Sequence, residues 1–108
     1  MSAAGQSYPA GRSTDFSEGV LVARSIAGVE VIFARVGGRV VCFLDQCAHQ
    51  PVKLSEFGEI RSGVLVCHAH GGGFDLDRGG KVLCGPPKEP LKAFKCHEEN
   101  GEVSVIID

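Results

Sequence analysis

Two short pairs of cysteine and histidine are the residues of this sequence whose side chains could act together chemically. Cys47 and His49 are separated by one residue, and Cys67 and His70 are separated by two. Seventeen residues lie between the two pairs. Thiolates and imidazoles are common ligands of zinc and iron. The pattern therefore indicates a metal centre, and the duplicated spacing favours ligation over a thiol nucleophile with its base.

The mixture of ligand types narrows the choice of metal. Four-iron and plant-type two-iron clusters use four thiolates, whereas one type of two-iron cluster has two histidines on one iron. A structural zinc could also use two cysteines and two histidines. The standard zinc finger, however, has both cysteines in one pair and both histidines in the other, and here each pair is mixed. The pattern favours the two-iron cluster and leaves structural zinc as the alternative.

Residues around the pairs extend this pattern into a family resemblance. Residues 54–56 (Leu-Ser-Glu) follow the first pair, and residues 71–75 (Gly-Gly-Gly-Phe-Asp) follow the second. Residues 85–87 resemble a proline-containing loop, and residues 99–103 resemble a final hairpin. Over roughly 20–107, the sequence resembles the Rieske [2Fe–2S] family. This resemblance implies an all-β Rieske fold, with an antiparallel sandwich or barrel-like body and a small cluster-binding subdomain made of two loops.

The resemblance also implies how one [2Fe–2S] cluster would be held. Cys47 and Cys67 would bind one iron, and His49 and His70 would bind the other. Neutral imidazoles in place of two thiolates make the cluster less negative and easier to reduce. His68 lies out of register with the motif and is expected to face solvent.

Composition sets the broad class. The 108 residues suffice for one domain, and the net charge of −2 makes nucleic acid an unsuitable partner. No apolar run approaches the length of a membrane span, and residues 1–14 lack the features of a signal peptide. We expect a cytoplasmic protein with a flexible arm over 1–14 and a Rieske domain over 15–108. The cluster-binding subdomain is expected over about 45–85, and Cys42 is expected to be a small core residue.

Runs of β-branched and aromatic residues predict the strands. Residues 29–36 and 39–44 should pair as a hairpin through the two glycines between them. Residues 20–25 should form the first strand, and residues 55–62 should be a polar loop. Further strands are predicted at 63–67, 74–77, 81–83, 91–97 and 102–107. No segment has the sustained 3.6-residue apolar period of a helix.

The family resemblance implies an electron carrier rather than an enzyme. The chain looks like a ferredoxin, monomeric when free, that takes electrons from an NAD(P)H-dependent flavoprotein reductase. It would pass them to the terminal oxygenase of an aromatic-ring-hydroxylating dioxygenase. The sequence has no flavin or nicotinamide fingerprint of its own. The alternatives are a ferredoxin of a diiron monooxygenase, the small Rieske subunit of a nitrite reductase, and a zinc-stabilised module.

Four positions near the motif predict a low reduction potential. High-potential members of the family have a disulfide between the cluster loops, and this chain has Val52 and Ala69 at the matching positions. It has Gly72 in place of a serine and Phe74 in place of a tyrosine, whose hydroxyls would hydrogen-bond to sulfur. Because such hydrogen bonds favour the reduced cluster, their absence predicts a potential near the bottom of the roughly −150 to +300 mV range.

Overall fold

The computed structural model describes residues 6–46, 53–68, 72–84 and 91–107. Within these ranges the chain forms ten strands and one short α-helix. The elements are β1 (Gln6–Arg12), β2 (Val22–Ile26), β3 (Val29–Val36), β4 (Arg39–Leu44), α1 (Leu54–Phe57), β5 (Gly58–Arg61), β6 (Val64–Cys67), β7 (Gly72–Asp75), β8 (Lys81–Cys84), β9 (Ala93–Glu99) and β10 (Glu102–Ile107). None of the helices in these ranges is long and apolar enough to cross a membrane.

The strands form two antiparallel sheets. The larger sheet has the order β1-β10-β9-β4-β3-β2, and the smaller has the order β5-β6-β7-β8. The edges of the larger sheet, β1 and β2, approach each other, and Nε of Arg24 donates to the carbonyl of Ala10 across the gap at 3.4 Å. The predicted all-β antiparallel body is therefore confirmed. The smaller sheet falls inside the stretch 45–85 that was predicted as the cluster-binding subdomain.

Two apolar cores explain why β3 is buried on both faces. Alternate residues of a strand point to opposite sides, and Val31 and Phe33 enter one core while Ile32 and Ala34 enter the other. The inner core lies within the nearly closed larger sheet and includes Phe16, Val31, Phe33, Cys42, Val103 and Val105. The outer core joins the larger sheet to the smaller one and includes Ile32, Phe43, Leu54, Leu65, Cys67, Phe74 and Leu91.

Two tight hairpins form where the sequence predicted them. Gly37 and Gly38 have φ angles of 60° and 83°, and Asn100 and Gly101 have φ angles of 54° and 79°. Positive φ at both central residues is what a two-residue type I′ turn requires, and glycine and asparagine adopt it at little cost. These turns set the registers of β3 with β4 and of β9 with β10.

The predicted N-terminal arm is wrong for residues 6–12. These residues form β1, which pairs antiparallel with β10. Its composition is poor in strand-forming residues, but Ala10 is buried in the inner core and Tyr8 packs against it. Pairing and packing by a distant strand thus outweigh local propensity. Residues 1–5 lie outside the described ranges.

The predicted polar loop over 55–62 is also wrong for residues 55–61, which belong to α1 and β5, whereas Ser62 lies in a turn. The first predicted strand, 20–25, corresponds to β2, which begins two residues later at Val22. Helix α1 has only four residues, which is too short to give a periodic apolar pattern. Its position depends on contacts with residues distant in sequence.

Candidate metal centre

The structure describes one of the four predicted ligands. Cys67 is the last residue of β6 and is fully buried in the outer core. Cys47, His49 and His70 lie outside the described residues. The structure nevertheless describes the chain on both sides of each pair, in the two segments that we call the first ligand segment (46–53) and the second ligand segment (67–72).

Cys67 is held between neighbouring strands of the smaller sheet. Strand β6 is an inner strand, and Cys67 pairs with Gly58 on one side and with Gly72 on the other. A donor at the end of a strand that is paired on both sides has little freedom to move. This position suits a thiolate that must hold an iron at a fixed place, so the described donor fits an iron–sulfur centre.

Asp45 directly precedes the first ligand segment. Among the described residues it is the one buried charged residue, with 6% of its surface exposed. The backbone N–H of Ser55 donates to Oδ1 of Asp45 at 2.8 Å, and the Ser55 hydroxyl donates to Oδ2 at 2.6 Å. The backbone N–H of Asp45 in turn donates to the carbonyl of Glu30 at 2.9 Å. These bonds connect the residue before the first ligand segment, Asp45, to a residue after it, Ser55.

Helix α1 connects this point to the second ligand segment. Ser55 lies in its first turn, and the carbonyl of Phe57, its last residue, accepts a hydrogen bond from the backbone N–H of His68 at 2.8 Å. Leu54 is fully buried and fixes the helix in the outer core. Asp45 and Ser55 were not predicted from the sequence, because a hydrogen bond between residues ten positions apart leaves no local sequence pattern.

His68 faces solvent, as expected for a residue that is not a ligand. Its side chain is half exposed, and Nε2 lies 2.7 Å from Oε1 of Glu59. Hydrogen bonds from Arg61 and His68 lower the pKa of the Glu59 carboxyl. His68 therefore has an acidic partner on the surface of the β5–β6 hairpin.

Cys42 has a different environment from Cys67. It is buried in the inner core, as predicted, and its thiol makes a hydrogen-bonding contact with Cys96. That contact and burial raise the pKa of Cys42 above its ordinary value. Cys42 thus belongs to the inner core, whereas Cys67 belongs to the outer core between the two sheets.

Comparison with known proteins identifies the family of this chain and the type of its cofactor. The family model described as "Rieske [2Fe-2S] domain" matches residues 6–95. The anthranilate 1,2-dioxygenase ferredoxin subunit of Burkholderia cepacia is 30% identical over 100 residues, which cover 93% of this chain and 91% of that protein. The chain belongs to the Rieske [2Fe–2S] family, and its cofactor is one Rieske-type [2Fe–2S] cluster.

Two solved structures show the same fold in two contexts. One chain of the complex of reduced oxygenase and oxidized ferredoxin in carbazole 1,9a-dioxygenase is 28% identical, with a TM-score of 0.83, and the match covers 93% of this chain and 92% of that one. The terminal oxygenase of carbazole 1,9a-dioxygenase from Nocardioides aromaticivorans IC177 is 29% identical, also with a TM-score of 0.83. This chain spans 30% of that oxygenase chain.

Proposed function

We propose that this chain is a Rieske ferredoxin that carries single electrons to the terminal oxygenase of an aromatic-ring-hydroxylating dioxygenase. An NAD(P)H-dependent flavoprotein reductase would supply the electrons. The chain would carry them without catalysing a reaction of its own. The cytoplasm, where thiols stay reduced, is the compartment that suits this role.

One observation carries the proposal. The match to the anthranilate dioxygenase ferredoxin subunit extends over 91% of that protein, whereas the match to the carbazole terminal oxygenase extends over 30% of that chain. The resemblance thus covers nearly the whole of a ferredoxin subunit and only one part of an oxygenase. The similarity to proteins named as ferredoxin subunits supports the carrier role.

We assign the cluster ligands to Cys47, His49, Cys67 and His70. The cluster would supply one-electron oxidation and reduction. The two thiols must be deprotonated to bind iron. The buried strand end at Cys67 supports this assignment, because it fixes one donor in the rigid part of the smaller sheet.

Substitution of neighbouring histidines tests the ligands. We expect His70→Ala to lose the cluster or to hold it weakly, as measured by iron content, visible absorption and electron paramagnetic resonance. His68→Ala is the matched control, since its side chain lies half exposed against Glu59, and it should keep the cluster. Loss of the signals with His68→Ala and their survival with His70→Ala would show that the assigned register is wrong.

Reconstitution tests the role. The purified protein is mixed with NADH or NADPH, candidate flavoprotein reductases and candidate terminal oxygenases, and product formation is measured with and without the chain. We expect an aromatic dioxygenase to depend on it. If the chain supports only a diiron monooxygenase or a nitrite reductase, that enzyme is its electron acceptor and the proposed partner is wrong. If the chain accepts electrons from no reductase, the carrier role is contradicted.

A further inference from the structure

We infer that Asp45 is a positioning residue that fixes the two ligand segments relative to each other through helix α1. The inference rests on the proposed ligand assignment. Asp45 lies two residues before Cys47, and α1 connects it to the chain beside Cys67. The same helix is therefore bonded at one end next to the first ligand pair and at the other end next to the second.

The side chain of Asp45 is buried, so its hydrogen bonds must compensate for lost hydration. A carboxylate that is 6% exposed loses most of its hydration, and burial of a charge is costly unless hydrogen bonds replace the water. In the described part of the chain Asp45 forms no ion pair, and the nearby Lys53 pairs with Glu30 at 2.6 Å. The two bonds from Ser55, at 2.8 and 2.6 Å, provide this compensation.

Asp45 also takes the place of a helix cap. The residue at the N-cap position of α1, Lys53, makes no capping hydrogen bond with its side chain. The N–H of Ser55, in the first turn, has no partner within the helix and donates to Asp45 instead. A four-residue helix is not stable by itself. Its conformation therefore depends on the carboxylate ten residues earlier and on the buried side chain of Leu54.

The other end of α1 fits tightly against the second ligand segment. Gly58, which follows the helix, pairs with Cys67. A Cβ atom at Gly58 would lie 2.5 Å from the carbonyl oxygen of Leu54 and 2.8 Å from Cδ1 of Leu65. Any side chain at Gly58 would therefore overlap the helix backbone and the side chain of Leu65 on β6. The Asp45 bonds join the start of the first ligand segment to this helix, whereas the end of that segment continues directly into it.

The alternative is that Asp45 stabilises the fold as a whole and has no particular relation to the cluster. The two explanations differ in what a substitution changes. A general loss of stability lowers the unfolding midpoint without altering the cluster signal. If Asp45 positions the ligand segments, its substitution alters the reduction potential and the spectral line shape of the reduced cluster. It also speeds cluster loss in protein that is still folded.

The test compares variants of the cluster-loaded protein. Asp45→Ala removes both hydrogen bonds and Ser55→Ala removes one, whereas Asp45→Asn retains an acceptor for the Ser55 N–H and a polar group for its hydroxyl. The matched control is Asp15→Ala, because Asp15 also accepts a backbone hydrogen bond, from Arg12 at 2.9 Å, at a short helical turn outside both ligand segments. The measurements are the rate of cluster loss to an iron chelator, the paramagnetic resonance spectrum, the potential and the thermal midpoint.

We expect Asp45→Ala to lose its cluster roughly tenfold faster or more, since a hydrogen bond to a charged group contributes at least the ~1.4 kcal/mol that corresponds to tenfold. Ser55→Ala should show a smaller increase, and Asp45→Asn, which keeps neutral hydrogen bonds in place of charged ones, should lose its cluster at a rate between those of the wild type and Asp45→Ala. Asp15→Ala should lower the thermal midpoint without changing cluster loss or spectrum. Should Asp45→Ala not fold, Ser55→Ala still decides the matter.

The inference is overturned if Asp45→Ala and Ser55→Ala retain the wild-type spectrum, potential and rate of cluster loss, or if Asp45→Asn is as impaired as Asp45→Ala. A wrong ligand assignment would give a different result, because the wild-type protein itself would then lack a histidine-ligated cluster. The two failures are therefore distinguishable in the same set of samples.

Discussion

Replacement of Gly80 by alanine tests the junction between the two sheets. Gly80 has a φ of +83°, and a Cβ atom there would lie 2.8 Å from Cβ of Leu91 and 3.0 Å from Cε1 of Phe43. Its backbone also receives a hydrogen bond from the N–H of Leu91 at 3.0 Å. The adjacent Gly79 has a similar φ of +71°, but nothing lies within 4 Å of its Cβ position. The two glycines thus share a backbone conformation and differ in available space.

The difference in available space at the two glycines predicts how much each alanine substitution lowers the free energy of unfolding. The left-handed conformation costs an alanine about 1–2 kcal/mol at either position. Crowding of a packed core costs about 1–3 kcal/mol more, and it applies only at Gly80. We therefore expect Gly79→Ala to lower the free energy of unfolding by about 1–2 kcal/mol and Gly80→Ala by about 2–5 kcal/mol.

Anaerobic urea unfolding of the cluster-loaded variants, followed by circular dichroism, measures the difference. The midpoint and slope of each transition give the change in stability. Equal destabilisation by the two substitutions would refute the argument, because it would mean that the turn is not packed against Phe43 and Leu91. Greater destabilisation by Gly79→Ala would refute it as well.

Three further predictions concern the potential, the docking face and the response to acid. Voltammetry should give a potential near the bottom of the family range, and Phe74→Tyr should raise it if a new hydroxyl can bond to a cluster sulfur; a value above roughly +100 mV would contradict the carrier role. Charge reversal at Lys53, the last residue of the first ligand segment, should slow electron transfer more than reversal at Glu99, with both cluster spectra unchanged. Equal effects would argue against docking at the cluster end. Nη2 of Arg35 lies 2.7 Å from Oε2 of Glu98 and lowers the pKa of that carboxyl from 4.5 to about 2. The stability that the Glu98 carboxylate contributes is therefore present above pH 4.5 and is lost as the pH falls towards 2. The difference in stability between the wild type and Glu98→Gln should shrink over this pH range, and a constant difference would refute the role of the ion pair.

Local sequence was sufficient where the turn residues themselves determine the fold. The glycines at 37 and 38 and the Asn-Gly pair at 100 and 101 adopt the positive φ angles that two-residue hairpins need. The strands they connect could therefore be predicted from the sequence, and β3 and β4 have the predicted bounds of 29–36 and 39–44.

Elements that depend on distant partners could not be predicted in this way. Strand β1 contains Pro9 and Gly11 and becomes a strand by pairing with β10 and by burying Ala10. Helix α1 is capped by Asp45, ten residues before Ser55. The spacing of the cysteines and histidines predicted the type of cluster, but nothing in that spacing identifies the carboxylate that joins the two ligand segments.

The central claim is that two cysteines and two histidines of this chain hold one Rieske-type cluster. Pulsed electron paramagnetic resonance of the reduced protein, prepared with ¹⁵N-labelled histidine, counts the imidazole nitrogens bound to iron. We predict two coordinated histidine nitrogens in the wild type and an unchanged count in His68→Ala. A reduced cluster without coupling to histidine nitrogen, or a colourless protein that contains stoichiometric zinc, would contradict the account.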